Sequence, residues 1–188
     1  MHPADVPGHL PEPIGERLAE QAAAVPADQA IVEVGSYLGR STCYLASGAA
    51  QGHGAHVWAV DAWDLPRPEH GPGSGARERF GLPETRRAFL DHLQACGVAG
   101  RVTAIQAFSV DAAKDWDGPP VGLLFLDGDH SHAAVKADWQ AWKPHLAEGA
   151  AVAFDDARRG RFGVNAFVTS LGLPVEGVHD DRLAIVRP

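Results

Sequence analysis

The chain has 188 residues, 45% of them hydrophobic and 21% charged, a balance that suits one soluble domain and excludes a disordered chain. A formal charge of −8, with no Lys/Arg run longer than two residues, argues against nucleic acid as a partner. Cys43 and Cys96 are far apart and outside any Cys-x-x-Cys motif. With neither a leader pattern nor an apolar stretch of about 18 residues, they predict reduced thiols in a cytoplasmic protein that does not engage a membrane.

Residues 1–11 contain three prolines and a glycine and are expected to form a flexible arm ahead of a single domain over 12–188. Ile14, Leu18, Ala22 and Val25 recur at helical spacing, and Pro13 suits the first turn of a helix. Ala30–Val34 reads as a strand that enters Gly35-Ser36-Tyr37-Leu38-Gly39 and a helix from about Ser41. His56–Asp61 is the next strand. The Pro/Gly-rich stretch 65–81 is too long for a plain connector, so a lid is expected there.

Phe89, Leu90, Leu93 and Cys96 mark a further helix, Val102–Gln106 a strand, and Ser109–Trp116 another helix. Val135, Trp139, Trp142 and Leu146 form the apolar stripe of the next one, which Pro144 should kink or shorten; both tryptophans are expected in the core. Val164, Phe167, Val168 and Leu171 suggest a last helix, followed by strands near 175–178 and 183–186. Strands alternating with helices predict an α/β fold, a mainly parallel sheet wound on both faces.

Two of the strands carry the clearest chemistry. Leu123-Leu124-Phe125-Leu126 ends in Asp127-Gly128-Asp129-His130, and Ala151-Val152-Ala153-Phe154 ends in Asp155-Asp156. Apolar runs of this length are buried parallel strands, and their carboxyl ends open into a crevice. If the two are neighbours, about 4.8 Å apart, Asp127, Asp155 and Asp156 converge and need a compensating charge. A hard cation bound by oxygen, magnesium first, is the expected solution.

At the other end of the crevice, the first strand delivers Glu33 to a glycine turn and a helix N-terminus, and the second strand ends in Asp61. An acidic side chain there can accept hydrogen bonds from ribose hydroxyls. The layout suits a dinucleotide or another adenosine cofactor. Ser36 stands where the close-approach glycine of Gly-x-Gly-x-x-Gly would be, which weighs against NAD, and the absence of Gly-Lys-Ser/Thr excludes a P-loop.

Glu33–Thr42, Ala59–Asp64 and Phe125–His132 together resemble the class I S-adenosylmethionine-dependent methyltransferases. More narrowly, they are similar to the group that includes the macrocin and mycinamicin O-methyltransferases and the cephalosporin-hydroxylase-like proteins. The resemblance runs from about Ala30 to the C-terminus. It implies a Rossmann-like seven-stranded sheet with an antiparallel last strand, Leu183–Val186. It implies cofactor contacts from Glu33, Gly35, Ser36, Tyr37, Ser41 and Thr42, with Gly35 and Ser36 near the methionine moiety. Asp61 would hold the ribose, with Ala62 and Trp63 beside it, and Ala107, Phe108 and Ser109 would lie near the adenine, with Asp127 completing the set. It further implies magnesium on Asp127, Asp155 and Asp156, Asp155 standing where relatives often carry Glu or His, and His130 as the base.

The expected activity is metal-assisted O-methylation of a small-molecule hydroxyl, by a protein that can form homo-oligomers. Methyl transfer from a sulfonium is an in-line displacement, so donor carbon and acceptor oxygen must be aligned and the acceptor deprotonated. His132 and Asp129 are expected to orient the site or face solvent. Two alternatives stand beside this reading: a non-catalytic protein that binds an adenosine cofactor, and an NAD-dependent Rossmann oxidoreductase.

Overall fold

The computed structural model describes residues 1–63, 65, 84–157, 163–178 and 182–188; apart from Leu65, the expected lid at 65–81 lies outside these residues. Strands β1 (Ala30–Val34), β2 (His56–Asp61), β3 (Val102–Gln106), β4 (Val121–Leu126), β5 (Leu146–Phe154), β6 (Glu176–Val178) and β7 (Leu183–Val186) form one seven-stranded sheet. Its order is β3-β2-β1-β4-β5-β7-β6. β1 pairs in parallel with β2 and β4, as does β2 with β3 and β4 with β5; β7 alone runs antiparallel to its neighbours β5 and β6. The sequence expectation of a mainly parallel sheet with an antiparallel last strand is met.

Among the described residues, six helices cover the two faces: α1 (Glu12–Ala23), α2 (Arg40–Gln51), α3 (Thr85–Ala95), α4 (Ser109–Lys114), α5 (His132–Trp142) and α6 (Val164–Ser170). Period-two alternation along each strand feeds both faces. Ile31, Val57, Leu123 and Phe125 pack with Ile14 and Leu18 of α1, Leu45 of α2, and Phe89 and Leu93 of α3. Val32, Leu124, Leu126 and Phe154 pack with Val135, Trp139 and Trp142 of α5 and Phe167 of α6. Trp139 and Trp142 are therefore core residues, as their stripe requires.

α1 and α2 lie unusually close. A Cβ at Gly48 would meet the Ala19 carbonyl oxygen at 2.1 Å, and one at Gly52 the Ala23 carbonyl oxygen at 1.9 Å. Only glycine permits this backbone-on-backbone seam.

Two expectations change. The segment before α1 is not loose: Pro3–Asp5 forms a 3-10 turn capped by His2. Val6 and Leu10 are buried in the core, because two apolar side chains among the prolines suffice to anchor it. Leu146 does not close the α5 stripe. Pro144 stops that helix at Trp142, a 3-10 turn covers Lys143–His145, and Leu146 opens β5.

Candidate active site at the carboxyl edge of the sheet

Between β1 and β4 the winding of the sheet reverses, and in such sheets ligands bind at the carboxyl ends of the strands around that point. The ladder continues one residue beyond each strand. Gly35 N–H donates to the Val60 carbonyl (2.9 Å), Asp127 N–H to that of Val34 (2.9 Å), Asp155 N–H to that of Leu126 (3.0 Å) and Ala107 N–H to that of Asp61 (3.1 Å). Ala107, Asp61, Gly35, Asp127 and Asp155 thus form one row. Gly35 has φ +91°, and a Cβ there would come within 2.3 Å of the Asp127 carbonyl oxygen. This glycine is required for both conformation and space.

The turn after β1 is held from β2. Asp61 accepts Tyr37 N–H on Oδ2 (2.8 Å) and Trp63 N–H on Oδ1 (2.6 Å), while Trp63 Nε1 donates to the Tyr37 carbonyl (2.9 Å). Tyr37 and Trp63 sit at φ +46° and +40°, conformations that cost free energy in non-glycine residues and mark a functional loop. The Trp63 ring is 7% exposed and lies 4.9 Å from Phe89, so it braces the turn from below.

Glu33, Ser36, Ser41 and Thr42 form a buried polar layer under the same turn. Thr42 Oγ1 donates to Glu33 Oε2, while Glu33 Oε1 is buried without a hydrogen-bond partner. Burial raises the Glu33 pKa above the ordinary carboxyl value. An unpaired buried acceptor of this kind calls for a donor, and the ammonium group of a methionine moiety has that chemistry.

At the third strand, Phe108 caps α4 and Ser109 begins it. Ser109 Oγ accepts from Trp142 Nε1 (3.1 Å) and hydrogen-bonds Asp138, a carboxyl on α5 whose pKa burial pushes up to about 6. Sequence reasoning passed over Asp138. Its signal was a carboxylate on the apolar stripe of Val135, Trp139 and Trp142, where a polar group needs a reason to be.

The register Leu126↔Phe154 brings the carboxylates together as expected. His130 lies between them, its Nε2 3.2 Å from Asp127 Oδ1 and its Nδ1 3.2 Å from Asp156 Oδ2. Burial works against a charge on this imidazole, but hydrogen bonds to the two carboxylates prevail and raise its pKa to about 10. Burial, then the neighbouring Asp155, raises Asp127 well above the usual carboxylate range. Asp129 accepts Ser131 N–H (2.8 Å) at the start of α5, and His132 packs on Phe167, ring centroids 5.9 Å apart.

Magnesium at Asp127, Asp155 and Asp156 meets a different arrangement. Among the described residues, the group that could converge on a cation is Asp127, His130 and Asp155, with ligand atoms within 4.8 Å of one another. Both oxygens of Asp155 are already engaged, by Arg182 Nε at 3.1 Å and Nη2 at 2.9 Å. Arg182 Nε also lies 3.5 Å from Asp156 Oδ1. A cation bound to Asp155 would lie against this guanidinium, so the charges as arranged disfavour a metal. No sequence motif pointed to Arg182.

A sheet of this order, with a glycine turn after β1, an acid at the end of β2 and an antiparallel β7, is the Rossmann-like methyltransferase fold. The profile of a family described as a methyltransferase domain matches residues 32–157. The chain belongs to that family.

Among solved structures, it is similar to cofactor-bound Rv0187 from MTB, with 21% identity and a TM-score of 0.68 over 98% of this chain and 84% of that one. It is similar to CalS11, a TDP-rhamnose 3'-O-methyltransferase of calicheamicin biosynthesis, with 18% identity and a TM-score of 0.60 over 93% and 76%. A Bacillus cereus O-methyltransferase in complex with SAH shares 16% identity, with a TM-score of 0.65 over 98% and 86%. A curated relative, the uncharacterized protein y4gI of Sinorhizobium fredii, is 31% identical over 137 residues, 71% of this chain; the match spans 14% of that protein. Among the described residues, no helix is long and apolar enough to cross a membrane.

Proposed function

We propose that the protein transfers a methyl group from S-adenosylmethionine to a hydroxyl oxygen of a small molecule. The observation that carries this reading is the Asp61 clamp. One carboxylate fixes the turn after β1 through two backbone N–H groups, at the strand end where an acidic side chain accepts from a ribose diol in folds of this kind. The methionine end then meets Ser36 and the unpaired Glu33 Oε1, and the adenine end meets Phe108 and Ser109. A net charge of −8 favours a small acceptor over a nucleic acid, and the sugar hydroxyl for which CalS11 is named supports the same class.

In the transfer step the acceptor oxygen attacks the methyl carbon, the carbon–sulfur bond breaks, and the cofactor leaves as a neutral thioether. The hydroxyl proton passes to the Asp127–His130 pair, whose facing atoms lie 3.2 Å apart. His130 Nε2 lies 3.2 Å from Asp127 Oδ1, so the imidazole can take the proton while the carboxylates on either side stabilise the charge it then carries.

Titration with S-adenosylhomocysteine tests the reading. Asp61→Asn turns an amide N–H₂ toward a backbone donor and should weaken binding about 10- to 100-fold, the scale of a charge-assisted hydrogen bond. Unchanged affinity in Asp61→Asn, or no binding by the wild type, refutes the assignment. Transfer of a labelled methyl group to a panel of hydroxyl acceptors then identifies the substrate.

A further inference from the structure

We infer that Arg182 takes the place of a divalent cation at the carboxylate cluster, so that methyl transfer here needs no metal. The identity of the reaction rests on the function proposed above; the charge balance stands on its own.

The position of Arg182 is set by the sheet. β7 pairs antiparallel to β5 with Phe154 opposite Ala184, so counting outward brings residue 182 alongside Asp156. The Ala157 N–H donates to the Arg182 carbonyl at 2.8 Å, which pins the backbone at that level. From there the guanidinium forks onto both oxygens of Asp155, which is 2% exposed, while its own side chain is 16% exposed. Asp156, at φ +51°, turns back so that one oxygen faces Arg182 and the other His130. Aspartate tolerates this left-handed conformation better than most residues.

Three carboxylates at adjoining strand ends repel one another unless compensated. Here a guanidinium that does not deprotonate and an imidazole bridging Asp127 and Asp156 supply the compensation. A dication that took Asp155 as a ligand would compete with the guanidinium for the same two oxygens and place two positive charges beside a mostly buried Arg182. Crowding like charges in this way is unfavourable. The same strand ends that could have formed a metal site form a closed ion network instead.

The test uses the full chain and manganese as the probe, read by the electron paramagnetic resonance of free Mn²⁺, with unfolding temperature in MgCl₂ or chelator as a second readout. The wild type should leave the Mn²⁺ signal unchanged at roughly 1 mM and melt at the same temperature in both conditions, where a dedicated carboxylate site would bind below about 0.1 mM. Arg182→Gln should acquire a saturable Mn²⁺ site and melt higher in MgCl₂ than in chelator. Arg182→Lys, which keeps the charge, should remain indifferent to metal. Saturable binding by the wild type below about 0.1 mM overturns the inference, as does a folded Arg182→Gln protein that binds no Mn²⁺. If Arg182→Gln does not fold, the wild-type titration decides alone. S-adenosylhomocysteine binding in the same preparations reports separately on the methyltransferase reading.

Discussion

Asp138 should make the stability of this protein depend on pH in a way that one substitution removes. The carboxyl is 8% exposed on α5. Burial moves its pKa from an ordinary 3.8 to about 6, with Asp129 adding in the same direction and the Ser109 hydrogen bond opposing. A folded-state pKa above the unfolded value means that the native state favours the neutral form. The contribution is fully present below pH 3.8 and is lost as pH rises through 6, a total of about 3 kcal/mol. Between pH 4.5 and 7.5 the part that can be measured is about 2 kcal/mol. Asp138→Asn cannot ionise, so the unfolding free energy of the variant relative to wild type should rise by that amount across the interval, whatever its offset from an altered hydrogen bond to Ser109. Urea unfolding of both proteins at four pH values gives the difference directly, and the other carboxylates, titrating alike in both proteins, cancel. A difference that stays constant within about 0.5 kcal/mol would show that Asp138 is ionised at no unusual cost, and the argument from its burial would be wrong.

Gly35→Ala adds a methyl 2.3 Å from the Asp127 carbonyl oxygen at φ +91°; strain and overpacking together should cost at least about 2 kcal/mol in urea unfolding. The same variant should lose S-adenosylhomocysteine binding by calorimetry, and wild-type affinity would contradict the row of strand ends described above. His130→Ala should lower turnover about 10²-fold or more while leaving S-adenosylhomocysteine affinity near normal, because the imidazole contacts Asp127 and Asp156 and not the Asp61 clamp. A loss of only a few-fold, with methyl transfer shown to limit the rate, would assign the proton to another group.

What could be read from the sequence followed from local rules. The apolar runs ending in Asp127 and Asp155 announced buried parallel strands, and their pairing Leu126↔Phe154 put the carboxylates where that reading required. Asp61 and the turn after β1 were legible for a similar reason, since an acid at one strand end and a glycine turn at the next carry their own geometry. Arg182 was not legible. Its meeting with Asp155, 27 residues earlier, depends on β7 joining the sheet antiparallel beside β5, and no periodicity encodes that choice. Leu146 misled because an apolar residue at helical spacing is equally suited to open a strand, and only Pro144 marked the boundary. Proline content suggested a loose arm, whereas Val6 and Leu10 decided that segment by burial.

The glycine seam between α1 and α2 has a bearing on the cofactor end of the molecule. α2 is the helix that the turn of Ser36 and Tyr37 runs into, and Gly48 lies eight residues along it from Arg40, about 12 Å at the rise of a helix. A single methyl group at Gly48 would lever that helix off its neighbour and tilt the turn at its other end. Variants selected for altered cofactor affinity should therefore include changes on the far side of the seam, in residues that touch no ligand.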